Sequence, residues 1–181
     1  MRSRCDCPKT EPPRANAAAS KSATSGTNPV LVKEKEALHK LAGRFGFEVL
    51  HYNITSADDL ENAFAAGLGD DVSAFYISGE PLMFSNLSRV ITFVTDSKKP
   101  TFGPYPEWGR AGLLMSYAQD PLEGYRNAGA YAAKILKGAK PGDLPIQQAS
   151  KFILVINQRA ARSLGIVIPP SLLALADEII D

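Results

Sequence analysis

The chain has 181 residues, 45% of them hydrophobic and 22% charged, with a formal net charge of +1. That length suffices for one domain with a sizeable core, and the balance is ordinary for a globular protein. A near-neutral chain offers no bulk attraction for nucleic acid or an anionic membrane, and no apolar run approaches the roughly 18–20 residues that cross a bilayer.

Residues 1–27 are a different material from the rest. Arg2, Arg4, Lys9, Arg14 and Lys21 face only Asp6 and Glu11, among Pro, Ser, Ala and Thr, with no hydrophobic periodicity. Such a segment buries too little apolar surface to order itself, so 1–27 reads as a disordered tail. It lacks the 7–15-residue apolar core of a signal peptide. Cys5 and Cys7, the only cysteines, have no histidine near them in sequence, so no metal-ligand set is expected.

Order is expected from Asn28-Pro29, a good N-cap followed by proline at the first helical position. Leu31, Leu38, Leu41, Ala42 and Phe45 form a helical stripe, ended by Gly46. "FEVLHYNI" (47–54) alternates like a strand. Ser56 is placed to cap the next helix, with Asp58 and Asp59 in its first turn and Leu60, Ala63 and Phe64 as its stripe. "VSAFYI" (72–77) is a continuous apolar strand, followed by the loop 78–81. Leu87, Val90, Ile91 and Val94 mark another helix, closed by Lys98-Lys99-Pro100. Then come a short strand "TFG" (101–103), the loop "PYPEWGRAG" (104–112) and the strand "LLMSY" (113–117). Asp120 caps a long helix carrying Leu122, Tyr125, Gly129, Ala132 and Leu136 on one face. Gly138, Pro141 and Gly142-Asp143 stop it, Ile146 begins an extended segment, and "KFILVI" (151–156) follows as a strand.

Strands alternating with helices predict an α/β fold with parallel βαβ units. The series opens on a helix, and "SKSATSGT" makes a poor strand, so the opening strand is expected to be missing. Ligands of parallel sheets bind beyond the carboxyl ends of the strands. Three loops leave such ends here. Together they offer Ser78, Gly79, Glu80, Tyr105, Glu107, Trp108, Ser116 and Tyr117: two carboxylates, three aromatics, two hydroxyls and a flexible glycine. That set suits a small polar ligand. Each also has a plainer reading: Glu80 as a first-turn helix charge, Trp108 as core packing, Tyr117 as strand-end packing. Nothing supports catalysis. No phosphate loop or nucleophile elbow is present, and neither His39 nor His51 has an evident partner. No cofactor or metal is expected.

Residues 112–181 carry a set of landmarks: Gly112-Leu113, Met115-Ser116-Tyr117, "ILKGAKP" (135–141), Asp143-Leu144-Pro145, "LVIN" (154–157), Ala161, Leu164-Gly165-Ile166, Ile168-Pro169-Pro170 and Ala176-Asp177-Glu178. With "SGEPLMFSN" (78–86) and "PYPEWGRAG" upstream, the chain from about 28 to 181 resembles the TrpX-like substrate-binding proteins of bacterial ABC transporters. The resemblance implies one α/β lobe, the C-terminal, of a type I periplasmic-binding-protein fold, whose two lobes clamp a small ligand such as an amino acid. It implies delivery to a membrane permease and a periplasmic location, although no export signal is read in this chain, which leaves the cytoplasm open. Family members are near twice this length, so a truncated, weakly functional form lacking its partner lobe is expected, with self-association through the exposed interlobe face. The alternatives are a vestigial or interaction-only domain without a ligand and a flavodoxin-like enzyme.

Overall fold

The computed structural model describes residues 16–22 and 29–181, in two compact units divided between Tyr76 and Ile77. Cys5, Cys7 and the Asn28 cap lie outside the described residues.

The first element is a strand, β1 (Asn16–Ser22), where the sequence predicts only tail. It runs parallel to β2 (Glu48–Ile54), from Asn16 opposite Glu48 to Ser22 opposite Ile54. The strand order in this unit is β2-β1-β3, with β3 at Ala74–Ile77. The βα series therefore has an opening strand, contrary to expectation. A central position explains it: ladder bonds on two edges outweigh the low strand propensity of "NAAASKS".

Helix α1 (Pro29–Phe45) follows, and Gly46, at φ 74°, closes it by donating its N–H to the Ala42 carbonyl at 2.8 Å. Ala42 and Val49 are buried together, with Leu38, Phe47 and Tyr76 packed around them. The Tyr76 hydroxyl bonds the Glu34 carboxylate on α1. Two residues along β2 from Val49, and one helical turn back from Ala42, His51 meets His39, with Nε2 atoms 2.8 Å apart. Sequence reading offers neither histidine a partner. The match comes from a helix period near 3.6 laid against a strand period of 2.

Helix α2 (Asp59–Gly69) starts later than predicted, and Ser56 does not cap it. Instead the Asp59 carboxylate turns back and accepts from the Thr55 and Ser56 N–H groups, both at 2.8 Å, and from the Thr55 hydroxyl. Those bonds, the Thr55 hydroxyl first, hold its carboxyl near 2. Leu60 and Phe64 are its buried side, Phe64 lying 5.3 Å from the Phe75 ring of β3.

The second unit begins with α3 (Pro81–Ser85), α4 (Leu87–Ser97) and β4 (Thr101–Gly103), then α5 (Pro106–Ala111) and β5 (Met115–Gln119). It continues through α6 (Pro121–Leu136), a 3₁₀ turn at Pro141–Asp143, β6 (Phe152–Asn157), α7 (Gln158–Ser163), α8 (Pro170–Leu173) and β7 (Glu178–Ile180). Its strand order is β4-β5-β6-β7. The core gathers Val90, Val94, Leu113, Leu114, Val155, Ile156 and the whole of Trp108. The predicted loop 104–112 contains α5, six residues long, opened by proline at its first position.

β4/β5 is parallel, as predicted, and β6 pairs in parallel with β7, a strand the sequence does not signal, but β5/β6 is antiparallel. Gln119, the last residue of β5, pairs with Phe152, the first of β6. The chain between them therefore leaves one end of the sheet and returns to that same end. Residues 120–151 form an out-and-back arm, and α6 is its outward half.

The root of the arm is pinned. Asp120 N–H donates to the Lys151 carbonyl at 2.9 Å, and the Lys151 ammonium sits 3.2 Å from the Asp120 carboxylate. Asp120 also caps α6, accepting from Leu122 N–H at 2.9 Å, as its sequence position predicts. Burial pushes the Asp120 carboxyl up, but Lys151 and the Leu122 N–H outweigh that and hold it below the usual carboxylate range. One turn on, the Glu123 carboxylate accepts from the Ser150 hydroxyl and from the N–H groups of Ser150 and Lys151.

The far end of α6 is also built as predicted. Gly138, at φ 100°, donates to the Ile135 carbonyl at 2.9 Å, and Ala139 donates to Lys134 at 3.1 Å. This pair of bonds is a Schellman cap, and it needs the left-handed glycine.

Candidate functional site

The first two predicted loops meet. The Tyr105 hydroxyl donates to the Gly79 carbonyl at 2.9 Å. A Cβ on Gly79 would lie 3.0 Å from Pro104 and 3.3 Å from the Tyr105 hydroxyl, a tight fit that would make these side chains give by a few tenths of an ångström. Tyr105 lies edge-on to Trp108, with ring centroids 5.4 Å apart, and to Phe84 at 5.7 Å. Phe84 is exposed, Tyr105 half-buried and Trp108 entirely enclosed. The three rings thus descend from the surface into the core.

Trp108 packs on the backbone of β4. A Cβ at Gly103 would stand 2.4 Å from its ring. The indole is therefore a floor beneath the loops rather than an open wall. Ser116, on β5 opposite Gly103, is 1% exposed and sits under α5, its Oγ 2.8 Å from where a Gly109 Cβ would be. Asn157 locks α5 to β6 by donating from Nδ2 to the Gly109 carbonyl at 2.9 Å.

Ser78 and Glu80, at the end of β3 and the start of α3, are both buried. Glu80 occupies the N-cap of α3, but its carboxylate makes no side-chain cap bond to that helix. Among the described residues, Ser78 Oγ, Trp108 Nε1 and Ser116 Oγ are buried polar atoms without a hydrogen-bond partner. A buried donor left unsatisfied costs about 1–3 kcal/mol, and native proteins carry few of them.

The other two predicted residues go elsewhere. Glu107 lies 3.6 Å from Arg110, whose guanidinium forks onto Glu178 of β7 at 2.7–3.0 Å. That bond holds the Glu178 carboxyl below its ordinary range, although burial opposes it. Tyr117 alternates to the opposite side of β5 from Ser116, is 60% exposed, and stacks on Phe152 at 5.4 Å. The structure therefore brings the 78–80 loop together with Tyr105 and Trp108, places Ser116 beneath α5, and separates Glu107 and Tyr117 from them.

Phe84 and Phe152 extend the aromatic set and escape the sequence reading. Phe84 could have been found as the exposed residue one turn into the helix after "SGEP". Phe152 becomes a neighbour of Tyr117 only through the antiparallel register. None of the eight predicted residues lines either of two clefts elsewhere in this unit. One of about 300 Å³ includes Thr101, Arg110 and Asn157; the other, of about 330 Å³, lies in the arm by Glu123, Tyr131 and Gln147.

Residues 23–180 match the family model described as ABC transporter substrate binding protein, and the chain belongs to that family. It is similar to a tyrosine-binding protein of Clostridioides difficile (strain R20291), 24% identical over 130 residues, covering 71% of this chain and 37% of that protein. A structure of an ABC domain in complex with L-Trp from Streptococcus pneumoniae superposes with a TM-score of 0.78 at 27% identity, covering 91% of this chain and 55% of the other. A conserved domain protein from Vibrio cholerae gives a TM-score of 0.80 at 25% identity, covering 91% and 54%. The chain thus spans about half the length of the structures it matches, or less for the tyrosine-binding protein. The family is one of substrate-binding proteins, which sets aside the flavodoxin-like enzyme. Among the described residues no helix is long and apolar enough to cross a membrane.

Proposed function

We propose that this chain supplies one face of the ligand site of an ABC importer's receptor, and that its ligand is an aromatic amino acid. The observation that carries the reading is the cluster at the ends of β3, β4 and β5. There the Ser78 hydroxyl is buried without a partner, next to the Gly79 carbonyl that accepts from Tyr105. The Ser78 hydroxyl suits a carboxylate, the buried Glu80 suits an ammonium group, and Phe84 with Tyr105 suits a flat side chain. The tyrosine-binding relative and the L-Trp complex support the same class of ligand. Glu107 and Tyr117, which lie apart from this cluster, are not part of the proposed contact face.

Closure of a second lobe would desolvate such a ligand and strengthen its polar contacts. A single face leaves the ligand wet, so this chain alone binds weakly. The arm supports a role for a second lobe. Its helix α6 buries no residue and exposes Leu122, Tyr125 and Leu136, a face fitted to a covering partner. In the full receptor we assign the arm to the interlobe connection, delivery of the ligand to a membrane permease, and a location outside the cytoplasmic membrane. Self-association of this chain through α6 follows from the same exposed face.

The test is nuclear magnetic resonance titration of the chain with L-Tyr, L-Trp and a panel of other amino acids at low millimolar concentration. We expect fast-exchange shifts in the amides of Ser78–Glu80, Tyr105 and Ser116 with the aromatic members, and almost no change in melting temperature. Shifts confined to other residues, or none with any amino acid, would sink the reading. A melting increase of several degrees would refute the weakness of the single face.

A further inference from the structure

We propose that His39 and His51, far from the ligand face in sequence and in the other unit, form a two-imidazole site for a late divalent transition metal, copper(II) above the rest. The two Nε2 atoms lie 2.8 Å apart, and the ring centroids 4.9 Å apart with planes at 51°. Metal–imidazole bonds are about 2.0–2.1 Å, so two of them at a right angle place their nitrogens about 2.9 Å apart, against about 3.3 Å at a tetrahedral angle. The observed separation fits the right-angled bite. Tetragonal geometry with nitrogen ligands favours copper(II) or nickel(II) over zinc, and copper(II) binds such sites most tightly of the series.

The frame that holds the pair is rigid. His39 stands one turn from Ala42 on α1, and His51 two residues from Val49 on β2; Ala42 and Val49 are buried against each other. The site is thus made by two packed elements, not by neighbouring residues on a loop. It is also open: His39 is exposed and His51 half-buried, so water completes the coordination sphere. The described residues hold no cluster of three or more His, Cys, Asp or Glu side chains, so the two imidazoles are the ligands on which the site is argued. In the metal-free pair one ring donates its Nε2 proton to the other. On binding, that proton passes to Nδ1 of the same ring or to solvent, so that both Nε2 lone pairs face the metal.

The experiment uses the full chain with Cys5→Ser and Cys7→Ser, so that the thiols neither bind nor reduce the metal. Copper(II) is titrated near neutral pH and followed by electron paramagnetic resonance and by isothermal calorimetry. The expected result is one copper per chain, with superhyperfine splitting from two nitrogens. His39→Gln and His51→Gln should each remove one nitrogen from the spectrum. Each should also weaken binding at least tenfold, since losing even an outer-shell partner of a ligand costs roughly that much. His39→Gln decides the matter, because an exposed helical residue can change without loss of fold, which circular dichroism checks. Copper should also raise the melting temperature of the Cys-free chain, and a chelator should reverse it. Unchanged affinity and spectrum in His39→Gln, or no stoichiometric copper in the parent, would overturn the site.

Discussion

Helices α5 and α6 lie on either side of β5 in the chain and differ in almost every respect. α5 has six residues and buries three of them, Pro106, Trp108 and Gly109. α6 has sixteen residues, an amphipathic stripe and good caps at both ends, yet buries none. By propensity and pattern α6 is the stronger helix. By packing, α5 is the one that belongs to the sheet. The comparison teaches that a well-formed amphipathic helix states a need for a partner and does not identify where that partner is. The anchoring of α5 rests on local fit: the indole flat on Gly103, Gly109 over Ser116, and Asn157 bonded to the Gly109 carbonyl.

The largest test of this contrast is Trp108→Ala. Emptying a fully enclosed indole site should cost about 3–5 kcal/mol, enough to unfold much of the second unit, as read by urea denaturation. A loss below about 1 kcal/mol would mean that α5 is not the anchor described.

A smaller effect is expected at the root of the arm. Asp120→Ala removes both the cap of α6 and the partner of Lys151, and should lower the melting temperature by a few degrees. The pH dependence has a definite sign. The Asp120 carboxyl is depressed in the folded chain, so its contribution is full above the unfolded value near 4 and is lost as pH falls through the folded value. Asp120→Asn should therefore flatten the acid limb of the stability profile below about pH 4, and an unaltered limb would remove Asp120 from the account.

The smallest effect belongs to the outer face of α6. Leu136 is 88% exposed and Tyr125 75%, so Leu136→Ser with Tyr125→Ser should change the stability of the chain by less than about 0.5 kcal/mol. The same pair should reduce any concentration-dependent association seen by sedimentation. A stability loss above about 1 kcal/mol would show that α6 already packs against this chain.

The sequence reading found the long helices and the main strands, because their apolar periods and their caps are local. Asp120 at the start of α6 and Gly138 at its end are the clearest cases: each satisfies orphan backbone groups within its own turn. It missed β1 because "NAAASKS" has no strand signal of its own, and it missed α5 because six residues are too few for a period to declare itself. Of the candidate site, the clustering of residues 78–80 with Tyr105 was legible from the rule that ligands sit beyond carboxyl ends of parallel strands. The opposite destinations of Ser116 and Tyr117 follow from strand alternation alone. The pairing of Tyr117 with Phe152 does not, since it depends on β6 returning antiparallel.

By itself, then, the sequence determined what short-range forces decide: where helices begin and stop, which residues are apolar enough to bury, and the family whose landmarks it carries. The tertiary structure alone decided what long-range contact decides. It set Trp108 as a floor, drew Glu107 into the Arg110–Glu178 pair, made 120–151 an arm, and brought His39 within 2.8 Å of His51. The physical reason is the same in each case. A cap or a stripe is completed within a turn or two of chain, whereas a neighbour supplied by a distant strand exists only once the sheet has closed and its register is set.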